Sequence, residues 1–233
     1  MRFARLKRYL PWGKPRFYRR SYAQSGEDVI LDYLLNWIGV AKPSYLDIGA
    51  HHPKHLSNTF FFYQKGCHGV VVEPDPILYA LIKKVRNRDI CLHCGVGGED
   101  QEDAEFYVMN PQTLNTFSRK EMEEFVASGK YSLQETLRIP MLSVNTIIER
   151  YFDSAPDILS LDVEGLDWQI LQSLDFTRFR PRTVCVETVT HIQQTKIQEI
   201  LDWMCDRGYT VYADTFINTI FVERQAWAGR RRG

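Results

Sequence analysis

The chain has 233 residues, 44% hydrophobic and 13% aromatic, enough for one full core without a second domain. Formal net charge is +0, but Met1 to Arg20 carries eight Lys/Arg and no acid, and Arg230 to Arg232 adds three more, leaving 18 basic against 29 acidic residues between. An acidic body argues against a nucleic-acid partner, and no apolar run approaches the ~18 residues of a membrane span.

In chain order, residues 1–20 read as a basic arm, residues 21–229 as one domain and residues 230–233 as a basic tail. Arg2 to Leu10 has the pattern of a short amphipathic helix that suits peripheral contact with an anionic membrane surface, or a solvated arm. Ser25 to Ile38 predicts an opening helix capped by Ser25, with Glu27 and Asp28 in its first turn. Ser44 to Ile48 is strand one, and a helix over Asn58 to Lys65 stops at Gly66. Gly69 to Glu73 is strand two, and Pro76 opens a helix running to about Arg88. Ile90 to Cys94 is strand three, closed by Gly95, Gly97 and Gly98.

Ala104 to Met109 alternates as an exposed strand would, Arg119 to Ser128 is helical, Arg138 to Leu142 a strand and Val144 to Phe152 a helix. Asp157 to Leu161 is strand four, ending at Asp162, followed by a helix over Asp167 to Leu174. Thr183 to Glu187 is strand five, and Thr195 to Arg207 an amphipathic helix stopped by Gly208. Tyr209 to Ala213 and Ile217 to Glu223 close the chain as a hairpin. This alternation predicts an α/β three-layer αβα sandwich, its sheet seven-stranded and mostly parallel with an antiparallel C-terminal hairpin. Ligands in such folds sit at the carboxyl ends of the strands, which gathers Asp47, Glu73, Cys94, Asp162 and Glu187 at one rim.

Glu73 ends strand two 26 positions after Asp47, where a carboxylate takes both hydroxyls of a ribose. The turn after strand one has one glycine, Gly49, where a pyrophosphate cradle needs three. A carboxylate at Asp47 would repel a pyrophosphate but tolerate a sulfonium and an amino group. The pair therefore points to S-adenosylmethionine and to methyl transfer. Gly49 permits close backbone approach. Asp47 orients the loop or the methionine end, and Asp75 meets the ribose edge or caps the helix at Pro76. Cys94 walls the adenine. The five cysteines read as free thiols of a reducing, cytoplasmic compartment, and Cys91-Leu92-His93-Cys94 lacks the second pair a zinc site needs.

Three stretches carry a resemblance: Asp47 to Pro53, Ser57 to Tyr63 and Gly69 to Pro76. With the leader Ser21 to Asp28 and with Leu161-Asp162-Val163-Glu164-Gly165, they resemble FkbM-type S-adenosylmethionine-dependent methyltransferases over roughly Ser21 to Phe221. The resemblance implies a class I (Rossmann-like) methyltransferase fold and O-methylation of a sugar, glycan precursor or related natural product. It further implies that the leader, with Gln24 and Glu27, closes over the cofactor. His51 is a candidate for the cofactor carboxylate or a loop residue. Asp162 and Glu164 are the candidates to bind or deprotonate an acceptor hydroxyl, with His191 an alternative base. In catechol O-methyltransferase and related sugar enzymes, acids after strands four and five hold Mg²⁺. Asp162 and Glu187 fall at comparable places, but Thr188 stands where a second ligand is expected. Residues 109–131 are the expected flap over the acceptor.

Overall fold

A computed structural model describes residues 19–190 and 194–230. Residues 1–18, which hold most of the basic arm, and 231–233 of the tail lie outside the described residues, as does His191. Seven strands form the main sheet: β1 (Tyr45–Ile48), β2 (Gly69–Val72), β3 (Ile90–Leu92), β7 (Ile158–Leu161), β8 (Thr183–Glu187), β9 (Tyr209–Asp214) and β10 (Asn218–Glu223). Their order is β3-β2-β1-β7-β8-β10-β9. All neighbouring pairs are parallel except those of β10, which runs antiparallel to both β8 and β9.

The helices are α1 (Glu27–Trp37), α2 (Phe60–Gln64), α3 (Pro76–Val85), α4 (Arg119–Ala127), α5 (Val144–Tyr151), α6 (Asp167–Ser173), α7 (Gln198–Asp206) and α8 (Arg224–Ala228). Among the described residues, no helix is long and apolar enough to cross a membrane.

The central strands are apolar on both faces because helices cover both. Leu46, Ile48, Val70, Val72, Leu159 and Leu161 share one core with Ile147, Ile170 and Ile200 from α5, α6 and α7. Tyr45, Val71, Ile158 and Cys185 face the other way, against Leu31, Leu34 and Leu35 of α1 and Phe60 and Phe62 of α2. Each buried aliphatic side chain contributes roughly 1.5–3 kcal/mol relative to exposure. The period of two also decides where polar strand residues go. Asp47 falls on the Tyr45 face, away from Ile48.

Three expectations change. Ser25 does not cap α1; Gly26, left-handed at φ 93°, precedes it with no side-chain cap. Asp28 instead accepts from Ser21 Oγ and the Tyr22 N–H, and Glu27 accepts from the Ser25 N–H. Gly95 does not simply close strand three. Gly95–Gly97 is β4, the edge of a second sheet ordered β4-β6-β5, with β5 at Gln101–Asn110 and β6 at Ser132–Ser143. The Ala104 to Met109 stretch is not exposed, since Ala104, Phe106, Tyr107, Val108 and Met109 are all buried. One face of β5 packs on Ile139 and the other on Leu114 and Phe125, so both sides of its alternation find cover.

Candidate functional site

The chain order turns back at β1, which lies between β2 and β7, and a cavity of about 590 Å³ opens at the carboxyl ends of these strands. Ile48, Gly49, Val72, Glu73, Asp162 and Glu187 line it from the main sheet. Residues 112–117, after β5, roof it with Leu114, Asn115 and Phe117. Gln24 and Phe216 close other sides. Among the described lining residues there is no lysine or arginine.

Glu73 is 5% exposed. Its Oε2 accepts from the His51 N–H (2.7 Å) and its Oε1 from the Asp75 N–H (2.8 Å). Burial, only partly offset by these two bonds, pushes the carboxyl up to about 8. The group is aimed and held by backbone, and each oxygen keeps a lone pair for a ligand hydroxyl. The His51 backbone serves Glu73, and its imidazole, which lines the cavity, is pulled below the usual histidine range by burial and then by His52. His52 Nδ1 accepts from the Lys54 and His55 N–H groups, a loop role.

Gly49 sits at φ 77°, and a Cβ there would stand 1.8 Å from the Asp162 carbonyl oxygen. The close approach that needs this glycine is thus between the ends of β1 and β7. Cys94 is buried in the cavity wall, its thiol pushed by burial up to about 12. A Cβ on the adjacent Gly95 would strike the Phe117 ring at 2.4 Å.

Asp47 and Asp75 do not line the cavity. Asp75 Oδ1 caps α3, accepting from Ile77 N–H (2.8 Å) and Leu78 N–H (3.0 Å), and its Oδ2 faces Asn115 Nδ2 at 3.4 Å. Asp47 lies behind the loop that follows β1, bonded by Thr59 Oγ1 and paired with Arg86 Nη1 at 3.4 Å. Burial pushes its carboxyl up, against the pull of that guanidinium. Arg86 is itself fully buried. Its Nε meets Asp89 Oδ2 at 2.7 Å and its Nη2 donates to Thr59 Oγ1 at 2.8 Å. The sequence reading missed this arginine, because it follows Lys83-Lys84 at a helix end and looks like a solvated face.

On the other side of the cavity, Asp162, Glu164 and Glu187 each place a carboxylate oxygen within 4.8 Å of the others. Glu164 takes a left-handed φ of 52°, and its carbonyl accepts from Thr116 Oγ1 of the roof (2.7 Å). Asp167, also missed from sequence, closes the turn by accepting from the Val163 N–H at 3.2 Å, and burial together with Glu187 raises its carboxyl to about 7. The three oxygens have the donor chemistry of a hard divalent cation. Thr188 is not among them; its hydroxyl bonds Thr219 and receives Lys196 Nζ.

Comparison with known proteins adds the following. No curated protein matches the sequence. A Pyrococcus horikoshii protein described as a "putative RNA methyltransferase" is 12% identical, with 94% of this chain and 96% of that one covered at a TM-score of 0.44, a likeness too slight to bear on function. The methyltransferase FkbM domain matches residues 47–211, from the end of β1 into β9 and so across both walls of the cavity. The chain belongs to the FkbM methyltransferase family.

Proposed function

We propose that this methyltransferase uses S-adenosylmethionine and methylates a hydroxyl oxygen of a sugar, a glycan precursor or a related natural product. The observation that carries the reading is Glu73, a buried carboxylate at the end of β2 held by two backbone N–H groups, in a cavity without lysine or arginine among its described walls. Such walls suit a ribose and a sulfonium and offer a pyrophosphate no lysine or arginine among the described residues. When bound, the cofactor supplies an electrophilic methyl group on sulfur.

In this reading Glu73 accepts both ribose hydroxyls, and Val72, Leu78, Cys94 and Gly95 flank the adenine. Gly49 and His51 border the methionine end. Asp47 acts from behind, through Thr59, to hold the loop 49–58 in place, and Asp75 acts by fixing the start of α3. Gln24 shields the cofactor from solvent. Asp162 and Glu164 orient the acceptor hydroxyl and take its proton, while positioning does most of the catalytic work. Were Mg²⁺ held here, Asp162, Glu164 and Glu187 would be its ligands and the acceptor hydroxyl would become more acidic.

The test is incubation with methyl-labelled cofactor and a fractionated glycan extract. Label in an alkali-stable ether on a saccharide is expected, and Asp162→Ala should abolish it. Label on nitrogen would redirect the reading to an amine acceptor. Cofactor binding with every acceptor inert would make the protein a binding module.

A further inference from the structure

Among the described residues, five other than glycine hold a positive φ, and all five line the cavity. Two of them are large, apolar and exposed: Leu56 (φ 57°, 37% exposed) and Phe216 (φ 76°, 57% exposed). A bulky side chain with positive φ is strained and persists where its surroundings over-determine it. Just after Leu56, the Ser57 N–H donates to the Tyr22 carbonyl (3.0 Å). The Phe216 N–H donates to Asp214 Oδ1 (2.7 Å), and Thr215 Oγ1 donates to Glu27 Oε1 (2.7 Å). Both turns are thus tied to the leader before α1 or to its first residue, and each presents an apolar side chain to solvent at the cavity mouth. Gln24 of the same leader, also exposed, joins them in the wall.

The segments that frame this mouth, residues 19–26, 49–59 and 215–219, contain no Asp or Glu and carry Arg19, Arg20 and Lys54. Arg20 lies over the Tyr22 ring (5.1 Å) and Lys54 over the Phe60 ring (5.9 Å), and those two rings meet edge to face at 4.9 Å. Both cations therefore sit beside Leu56 on one surface. The acids of the flanking stretches are spent elsewhere: Asp47, Glu27 and Asp28 are buried, and Asp214 is paired with Lys196. Glu73 and Glu187 of the cavity are buried too. This face is a local exception on a body with 18 basic against 29 acidic residues. Residues 1–18, which directly precede Arg19 in sequence, add six more Lys/Arg and no acid.

We propose that the cavity mouth docks on an anionic lipid surface. Leu56 and Phe216 enter the headgroup boundary as apolar anchors, while Arg20 and Lys54 meet lipid phosphates. The cavity then opens toward the headgroups. Exposed apolar side chains flanked by cations, on segments free of acids, match a surface that is anionic outside and apolar just beneath. Docking of this kind is independent of the chemistry in the cavity, so its failure would leave the methyl-transfer reading standing.

Co-sedimentation of the full chain with vesicles tests it, with equal parts phosphatidylcholine and phosphatidylglycerol as the anionic surface and phosphatidylcholine alone as the neutral one. The anionic vesicles should carry the protein down, and the neutral ones should bind at least about tenfold more weakly at equal lipid. The double variant Leu56→Asn, Phe216→Asn should bind the anionic vesicles at least about tenfold more weakly than wild type. Asparagine takes a left-handed backbone readily, so this variant should keep the wild-type Tm. Lys54→Glu, at an exposed position, should weaken binding at least about fivefold. Equal binding to both vesicles, binding to neither, or undiminished binding in the double variant would each overturn the proposal. The last result would assign vesicle binding to the basic residues 1–18 alone.

Discussion

Removing the Glu73 carboxylate should weaken cofactor binding by an amount that grows with pH. Two hydrogen bonds from ligand hydroxyls to a charged acceptor contribute at least about 1.5 kcal/mol each, so about 3 kcal/mol together. Against this stands the cost of ionising a group whose pKa is about 8, which at pH 7 is about 1.4 kcal/mol. The net of about 1.6 kcal/mol predicts that Glu73→Ala raises the Kd for S-adenosylhomocysteine about 15-fold at pH 7. At pH 9 the carboxylate is already ionised, the cost falls away, and the factor becomes about 150-fold. Titration calorimetry of both proteins at the two pH values is the assay. The same group acts on folding. Burial raises its folded-state value above the ordinary carboxylate range, so the unfolded chain ionises first. Stability of the free protein therefore declines as pH rises from the ordinary glutamate value of 4.5 to about 8 and levels off beyond. That part of the decline should be missing in Glu73→Ala. An unchanged Kd ratio across pH, or a variant that binds as well as wild type, would refute the reasoning.

Three further outcomes follow from the site. Gly49→Ala should lose at least about 2 kcal/mol in urea denaturation, from left-handed strain and from a Cβ at 1.8 Å from the Asp162 carbonyl; an unshifted midpoint would show that the β1 and β7 ends separate easily. Arg86→Met should cost about 3–5 kcal/mol by leaving Asp47 and Asp89 buried without their cation, read as a lower Tm, and a Tm equal to wild type would mean the acids take up protons at little cost. Methyl transfer should persist in excess EDTA, because Thr188 is engaged with Thr219 and Lys196 away from the carboxylates; activity lost in EDTA and restored by Mg²⁺ would make Asp162, Glu164 and Glu187 a metal site.

Much of this molecule was legible in the chain. The β-branched runs at Val70-Val71-Val72 and Thr183 to Glu187 are buried on both faces and announce a parallel core. Glu73 was legible because an acid directly after such a run must stand at the sheet's carboxyl rim. Asp47 was harder. The eye groups it with Gly49, but a strand's period of two turns it toward Tyr45 and a guanidinium 39 residues away. Pairings of that kind depend on tertiary packing and leave no local signal. The second sheet was missed for a related reason. Ala104 to Met109 has the alternation of a half-exposed strand, and only the later docking of α4 and residues 112–117 covers its other face. Asn218 and Phe216 looked like an ordinary hairpin turn, because neither the amide oxygen without a partner among the described residues nor the positive φ is visible until the strands are placed.

The most direct test of the central claim is a calorimetric titration of wild-type protein with S-adenosylhomocysteine at pH 7 in buffers of differing ionisation enthalpy. The account predicts one site per chain and the release of about 0.9 proton, as Glu73 passes from mostly neutral to charged on accepting the ribose hydroxyls. Absence of binding, or binding whose heat does not change with the buffer, would contradict it.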